Sequence, residues 1–107
     1  MVRKMSQWSD MYRQKVMTPE KAVELVKSGD WVDYSMATSQ PILLDKALAG
    51  RKEELKDIKV RMSFSFAPRQ VVECDPKRET FTAMNWHMSG YDRKLCAKGL
   101  KIGRAHV

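Results

Sequence analysis

Ile58-Lys59-Val60-Arg61-Met62-Ser63-Phe64-Ser65-Phe66 alternates apolar and polar residues at every step. Side chains of an extended chain point alternately to opposite faces, so this stretch predicts a strand with one buried face. Upstream, Thr18-Pro19-Glu20 combines a hydroxyl N-cap, proline at the first helical position and an acid in the first turn. The helix it opens carries Ala22, Val23, Leu25 and Val26 as its apolar stripe and stops at Ser28-Gly29. Trp31 to Met36 is β-prone and predicts a strand. After the small polar loop Ala37 to Gln40, Pro41 opens a second helix, with Ile42, Leu43, Leu44, Ala47 and Leu48 apolar and Gly50 as its stop.

Downstream, Pro68 is expected to break the long strand, Val71 to Cys74 fits either period, and Asp75-Pro76 marks a turn. Thr80 to Trp86 predicts a third strand. Ser89 caps a helix over Tyr91 to Lys98, and Gly99 stops it. Trp8, Met11 and Tyr12 have helical spacing near the start of the chain. This order of helices and strands predicts an α/β sheet with crossover helices, and Trp31, Trp86 and the methionines are expected to fill its core.

The chain has 107 residues, enough for one small domain, and its 43% apolar and 31% charged residues are a globular composition. No apolar run reaches bilayer length, and the polar start has no secretory h-region, so a cytoplasmic protein is expected. Twenty Lys and Arg against 13 Asp and Glu give a net charge of +7, which invites a non-enzymatic basic domain binding nucleic acid or an acidic partner. The acids are interspersed with the bases, as in Lys52-Glu53-Glu54, Lys56-Asp57, Arg78-Glu79 and Asp92-Arg93, which favours a solvated surface over a nucleic-acid patch. Cys74 and Cys96 are too few for a disulfide framework, and His87 has no second ligand at metal spacing, so no metal site is expected. No GxGxxG, Walker loop or GxSxG elbow occurs. The loop holding Thr38 and Ser39 lies between a predicted strand and a predicted helix, where open α/β sheets bind ligands.

Ser28-Gly29-Asp30-Trp31-Val32-Asp33-Tyr34, Gln40-Pro41 and Leu44-Asp45-Lys46-Ala47-Leu48 carry a family resemblance, as does Asn85-Trp86-His87-Met88-Ser89-Gly90-Tyr91-Asp92-Arg93-Lys94-Leu95. Together they resemble the N-terminal part of the acetyl-CoA hydrolase/transferase family, in the branch of 4-hydroxybutyrate and butyryl-CoA:acetate CoA-transferases. The resemblance runs from about Tyr12 to Leu100 and implies a partial first lobe with an open, mostly parallel sheet. Such enzymes use a glutamate carboxylate to open an acyl-CoA thioester, giving a glutamyl-CoA thioester that a second carboxylic acid resolves.

That glutamate belongs to the later half of the family's longer chain, so no catalytic residue is assigned here, and Glu53, Glu54, Glu73 and Glu79 are not promoted to the role. What the resemblance carries over is one wall of the acid-binding pocket, with Thr38, Ser39, Gln40, Ser65 and His87 as substrate-binding candidates and Ser63 beside them. It implies coenzyme A thioester as substrate rather than any bound cofactor, an acyl-CoA and a short carboxylic acid as partners, and a homo-oligomeric whole enzyme. Alone, the fragment is expected to be inactive and to expose sheet edges and apolar surface. The last residues, Ile102 to Val107, match one frame of a common sequencing adapter, with Lys101 supplying the required codon ending. The lobe is therefore expected to span 1–100 and the tail 101–107 to be non-native, which lowers the charge from +7 to +5 by removing Lys101 and Arg104.

Overall fold

The structure, a computed structural model, describes residues 2–100; the reading of 101–107 as a foreign tail lies outside them. Helix α1 (Val2–Lys15) is followed by α2 (Pro19–Ala22), which tightens into a 3-10 turn at Val23–Leu25. Strand β1 (Trp31–Met36) leads through a 3-10 turn to α3 (Ile42–Ala49), then β2 (Ile58–Ser63), α4 (Gln70–Glu73), β3 (Phe81–Asn85) and α5 (Gly90–Ala97). The strands form one parallel sheet in the order β1-β2-β3, with Trp31 opposite Lys59 and Ile58 opposite Phe81. This is the expected α/β fold with a helix in each crossover.

The caps follow the sequence. The Thr18 hydroxyl accepts from the Lys21 N–H with Pro19 in the first turn. Ser89 and Asp92 form a reciprocal capping box at the start of α5. Gly99, at φ +76, takes the left-handed conformation that ends that helix.

The core is a single layer between the helices and one face of the sheet. Tyr34 from β1, Ile58, Val60 and Met62 from β2, and Phe81 and Ala83 from β3 meet Val23, Leu48, Val71, Val72 and Leu95. The α2 stripe is shorter than expected: the helix loses its period after one turn, so Val23 is buried but Leu25 projects into solvent. Ile42 and Leu43 are likewise exposed, because α3 meets the core through Asp45, Leu48 and the half-buried Ala47 and Ala49. Trp31 and Trp86, expected in the core, are about 60% exposed (59% and 61%), since both carry the parity of the sheet face away from the helices. Val71 to Cys74 resolves as α4 and the residue after it.

Strand β2 stops at Ser63, five residues before Pro68. Phe64 turns to φ +49 and donates its N–H to the His87 carbonyl at 2.9 Å, leaving the ladder. The alternation of Phe64 and Phe66 therefore does not continue the buried face, and both rings are exposed.

Three buried aspartates tie the layers. Asp45 on α3 accepts from the Tyr34 hydroxyl at 2.9 Å and from the N–H groups of Gln70 and Val71 at 2.7 and 3.3 Å. Burial, reinforced by the Asp45 charge, pushes the Tyr34 hydroxyl far above the usual tyrosine range, so it stays a donor. Asp75 accepts from the N–H groups of Glu79, Thr80 and Phe81 at 3.0, 2.7 and 2.8 Å and pins the entry to β3. Asp92 was read as part of the solvated surface with Arg93; it is instead fully buried, because it satisfies backbone donors at the end of β2.

Burial tends to raise the Asp75 carboxyl, but the three backbone donors and the Lys52 charge outweigh it and hold the group below its ordinary value. A depressed carboxyl contributes stability that is complete above the unfolded value of about 3.9 and is lost as pH falls through the folded value. Asp75→Asn is expected to cost about 2–3 kcal/mol at pH 7 in urea unfolding, with the gap to the parent closing below about pH 4. A gap that does not narrow in acid would show that the charge of Asp75 is not what the backbone donors recognise.

Candidate functional site

The carboxyl ends of the three strands converge at one edge of the sheet, where open parallel sheets hold their ligands. The backbone is strained there. Ser35, Ala37 and Phe64 adopt φ of +67°, +52° and +49°, each a left-handed conformation in a residue with a Cβ. Asp33 holds the first bend, its carboxylate accepting from the Ser35 N–H at 2.8 Å and from Arg61 Nε at 3.1 Å.

A cleft of about 260 Å³ opens at this edge, lined by Asp33, Ser35, Met36, Arg61, Met62, Ser63 and Trp86. Beside it, Gln40 folds inward from the loop after β1 and donates its Nε2 to the Ser63 carbonyl at 3.1 Å. Asn85, at the end of β3, donates to the His87 carbonyl at 3.4 Å. Gln40 Oε1, Ser63 Oγ and Asn85 Oδ1 are buried without a hydrogen-bond partner among the described residues. Leaving such a group unpaired costs about 1–3 kcal/mol. The cost falls on the side chains that end or follow the three strands.

The five predicted contact residues separate into groups. Thr38 and Ser39 sit on the 3-10 turn after β1 with exposed side chains, outside the lining of the cleft. Gln40 is buried against Ser63. His87 is exposed and stacks on Phe64, with ring centroids 5.3 Å apart and planes 7° from parallel. Ser65 is fully buried: its N–H meets Asp92 Oδ2 at 2.8 Å, and its hydroxyl points at Met62 Sδ, 3.2 Å away. The fold thus joins Gln40 to Ser63 and His87 to Phe64, and places Ser65 beneath the loop.

Asp33, Met36, Arg61, Trp86 and Asn85 were not named as binding candidates from the sequence, although Asp33, Asn85 and Trp86 lie in the stretches that carry the family resemblance. Burial pushes the Cys74 thiol up, so it is no activated nucleophile. Among the described residues, no group of three His, Cys, Asp or Glu side chains stands together to hold a metal ion. No described helix is long and apolar enough to cross a membrane.

A parallel α/β layer with strain and unpaired polar groups gathered at its carboxyl edge has its candidate site where open parallel sheets hold ligands. The chain belongs to the acetyl-CoA hydrolase/transferase family: the model of that family's N-terminal domain matches residues 1–106. It is 38% identical over 92 residues to a butyryl-CoA:acetate CoA-transferase of Anaerostipes caccae, covering 86% of this chain and 21% of that protein. It is 40% identical over 89 residues to a probable butyrate:acetyl-CoA coenzyme A-transferase of Syntrophomonas wolfei, covering 83% of this chain and 20% of that protein. The solved structure of RipA from Yersinia pestis shares the fold, with a TM-score of 0.72 and 21% identity over 92% of this chain and 25% of that one. The chain spans about a fifth of the length of the curated relatives it matches.

Asp92 gathers the N–H groups of Ser65 and Ser89 and the Ser89 hydroxyl on one oxygen, at 2.8, 3.1 and 3.1 Å. Asp92→Ala strands the two N–H groups, the Ser89 hydroxyl keeping the Ser65 carbonyl, and is expected to cost about 3 kcal/mol in urea unfolding. Hydrogen exchange should quicken at Ser65 and Ser89. Unchanged exchange at both amides would mean that the carboxylate does not hold the loop.

Proposed function

We propose that this chain is the first lobe of a CoA-transferase that moves coenzyme A between a short acyl-CoA (butyryl-, 4-hydroxybutyryl- or acetyl-CoA) and a carboxylic acid such as acetate. The observation that carries this reading is the 38–40% identity to two butyrate- and acetate-linked CoA-transferases over more than 80% of the chain. The basic-domain alternative has no such support among the relatives the chain matches.

The nucleophilic glutamate lies beyond this chain, in the polypeptide that continues the enzyme. Its carboxylate attacks the thioester carbonyl, giving an acyl-glutamyl anhydride and coenzyme A thiolate; the thiolate then attacks the glutamyl carbonyl, releasing the first acid and leaving a glutamyl-CoA thioester, and the acceptor acid takes coenzyme A by the same two steps in reverse. Residues 1–100 contribute a wall. In this reading the Ser63 hydroxyl and the second Nε2 hydrogen of Gln40 donate to the acid's carboxylate, Thr38 and Ser39 form its outer rim, and His87 closes the side formed by Phe64. Ser65 serves from below by fixing the loop. Coenzyme A enters as substrate with no resident cofactor, and the whole enzyme is a cytoplasmic homo-oligomer.

Acyl exchange between butyryl-CoA and labelled acetate tests the reading, with residues 2–100 grafted in place of the corresponding fifth of the Anaerostipes caccae enzyme. The chimera is expected to exchange, and the 107-residue chain alone is not. Gln40→Ala in the chimera should lower kcat/KM for the acid about tenfold, the loss of about one good hydrogen bond (about 1.4 kcal/mol). Exchange by the isolated chain would place the nucleophile inside it and overturn the assignment.

A further inference from the structure

All helices with core residues, α3 to α5 and the turn after α2, pack on one side of the sheet. The other side is bare among the described residues. It presents Trp31 and Asp33 from β1, Lys59 and Arg61 from β2, and Thr82 and Met84 from β3, each row aligned by the ladder. Trp86 extends the β3 row beyond the strand. Parallel sheets occur almost only with both faces covered, because their crossover connections put helices on the faces.

The charges on this face are already matched within it or beside it. Arg61 pairs with Asp33 at 3.1 Å, Lys59 pairs with Asp57 at 2.9 Å, and the Lys59 ammonium lies 5.9 Å from the Trp31 ring. What remains unsatisfied is apolar: two indoles about 60% exposed and the Met84 side chain between their rows. The face measures about 14 by 18 Å from strand spacing and rise, the footprint of about 12 helical residues. The relatives hold about four-fifths of their length outside the region this chain matches.

We propose that the bare face is the docking surface for the apolar side of an amphipathic helix from the polypeptide that continues this enzyme. The proposal rests on the reading of the chain as a first lobe. Because Asp33, Arg61 and Trp86 also line the cleft, the docked helix forms its roof.

Cysteine accessibility tests this in the chimera described above. Thr82→Cys and Met84→Cys are expected to react with a maleimide at least 100-fold more slowly in the chimera than in the isolated chain, while Leu25→Cys and Ile42→Cys react alike in both. A photo-crosslinker at position 84 is expected to capture a segment after the graft with apolar residues spaced i, i+3 and i+4. Met84→Glu should lower the urea midpoint of the chimera and leave that of the isolated chain unchanged. Equal reactivity at 82 and 84 in both contexts overturns the proposal. So does protection that appears in the isolated chain as concentration rises, or a crosslink to a second copy, since either makes the occupant another lobe. Protection without acyl exchange would sink the function and keep the docking; exchange with a reactive face does the reverse.

Discussion

A buried carboxylate that accepts from backbone N–H groups is the device on which this small lobe depends. Asp45 shows why. The α4 helix is only four residues long, too short to stabilise itself by its own hydrogen bonds. Its first N–H groups would be orphaned under the core. Asp45 takes two of them and, with its remaining capacity, the Tyr34 hydroxyl of β1. One side chain on α3 therefore fixes the positions of a neighbouring helix and of the edge strand. Asp75 does the same for the turn into β3, and Asp92 for the joint between β2 and α5. Hydrogen bonds to a charged acceptor contribute about 1.5–3 kcal/mol each, more than a neutral pair, which suits a lobe whose single apolar layer is thin.

The same device shapes the site. Between Ser63 and Arg69 the chain has no regular structure, yet it is held at both ends. Phe64 is tied to the His87 carbonyl, Ser65 to Asp92, and the Arg69 N–H to the Tyr91 hydroxyl at 3.2 Å. Tyr91 in turn donates to Glu73 at 2.6 Å, and burial raises its hydroxyl above the usual range so that the proton stays on it. These ties let Phe64 keep a left-handed backbone that an untethered phenylalanine would leave. Strain of this kind persists where the surroundings over-determine it, which is the common condition of ligand-handling edges.

The sequence was most legible where a residue type has a local mechanism. The Thr18 and Ser89 caps, the Gly99 stop and the parallel α/β order could be read because capping and periodicity act over a few residues. Reading failed where a long-range partner decides the outcome. Nothing local to Phe64 says that a carbonyl 23 residues away ends the strand. Nothing local to Asp92, beside an arginine, says that it is buried. Trp31 and Trp86 were misplaced for a different reason: aromatic residues normally mark a core, but strand parity assigns these two to the face opposite the helices. Of the residues near the carboxyl edge, Gln40 and His87 could be named as candidates from the family resemblance, whereas the Asp33–Arg61 pair in the cleft wall was read as surface charge.

The Asp33–Arg61 pair, exposed on the bare face, bears on how the sheet could be covered. On a solvated surface, an ion pair such as Asp33–Arg61 contributes little, because water screens it and the side chains lose freedom in forming it. Under a covering layer the same pair changes character. Each charge would be costly to bury alone, and the partner already in place offsets part of that cost. Asp33 is moreover bound to the Ser35 N–H, so its position is set by the strained bend and not by the ion pair alone. A face whose charges are matched in advance can accept an apolar cover without new counter-charges.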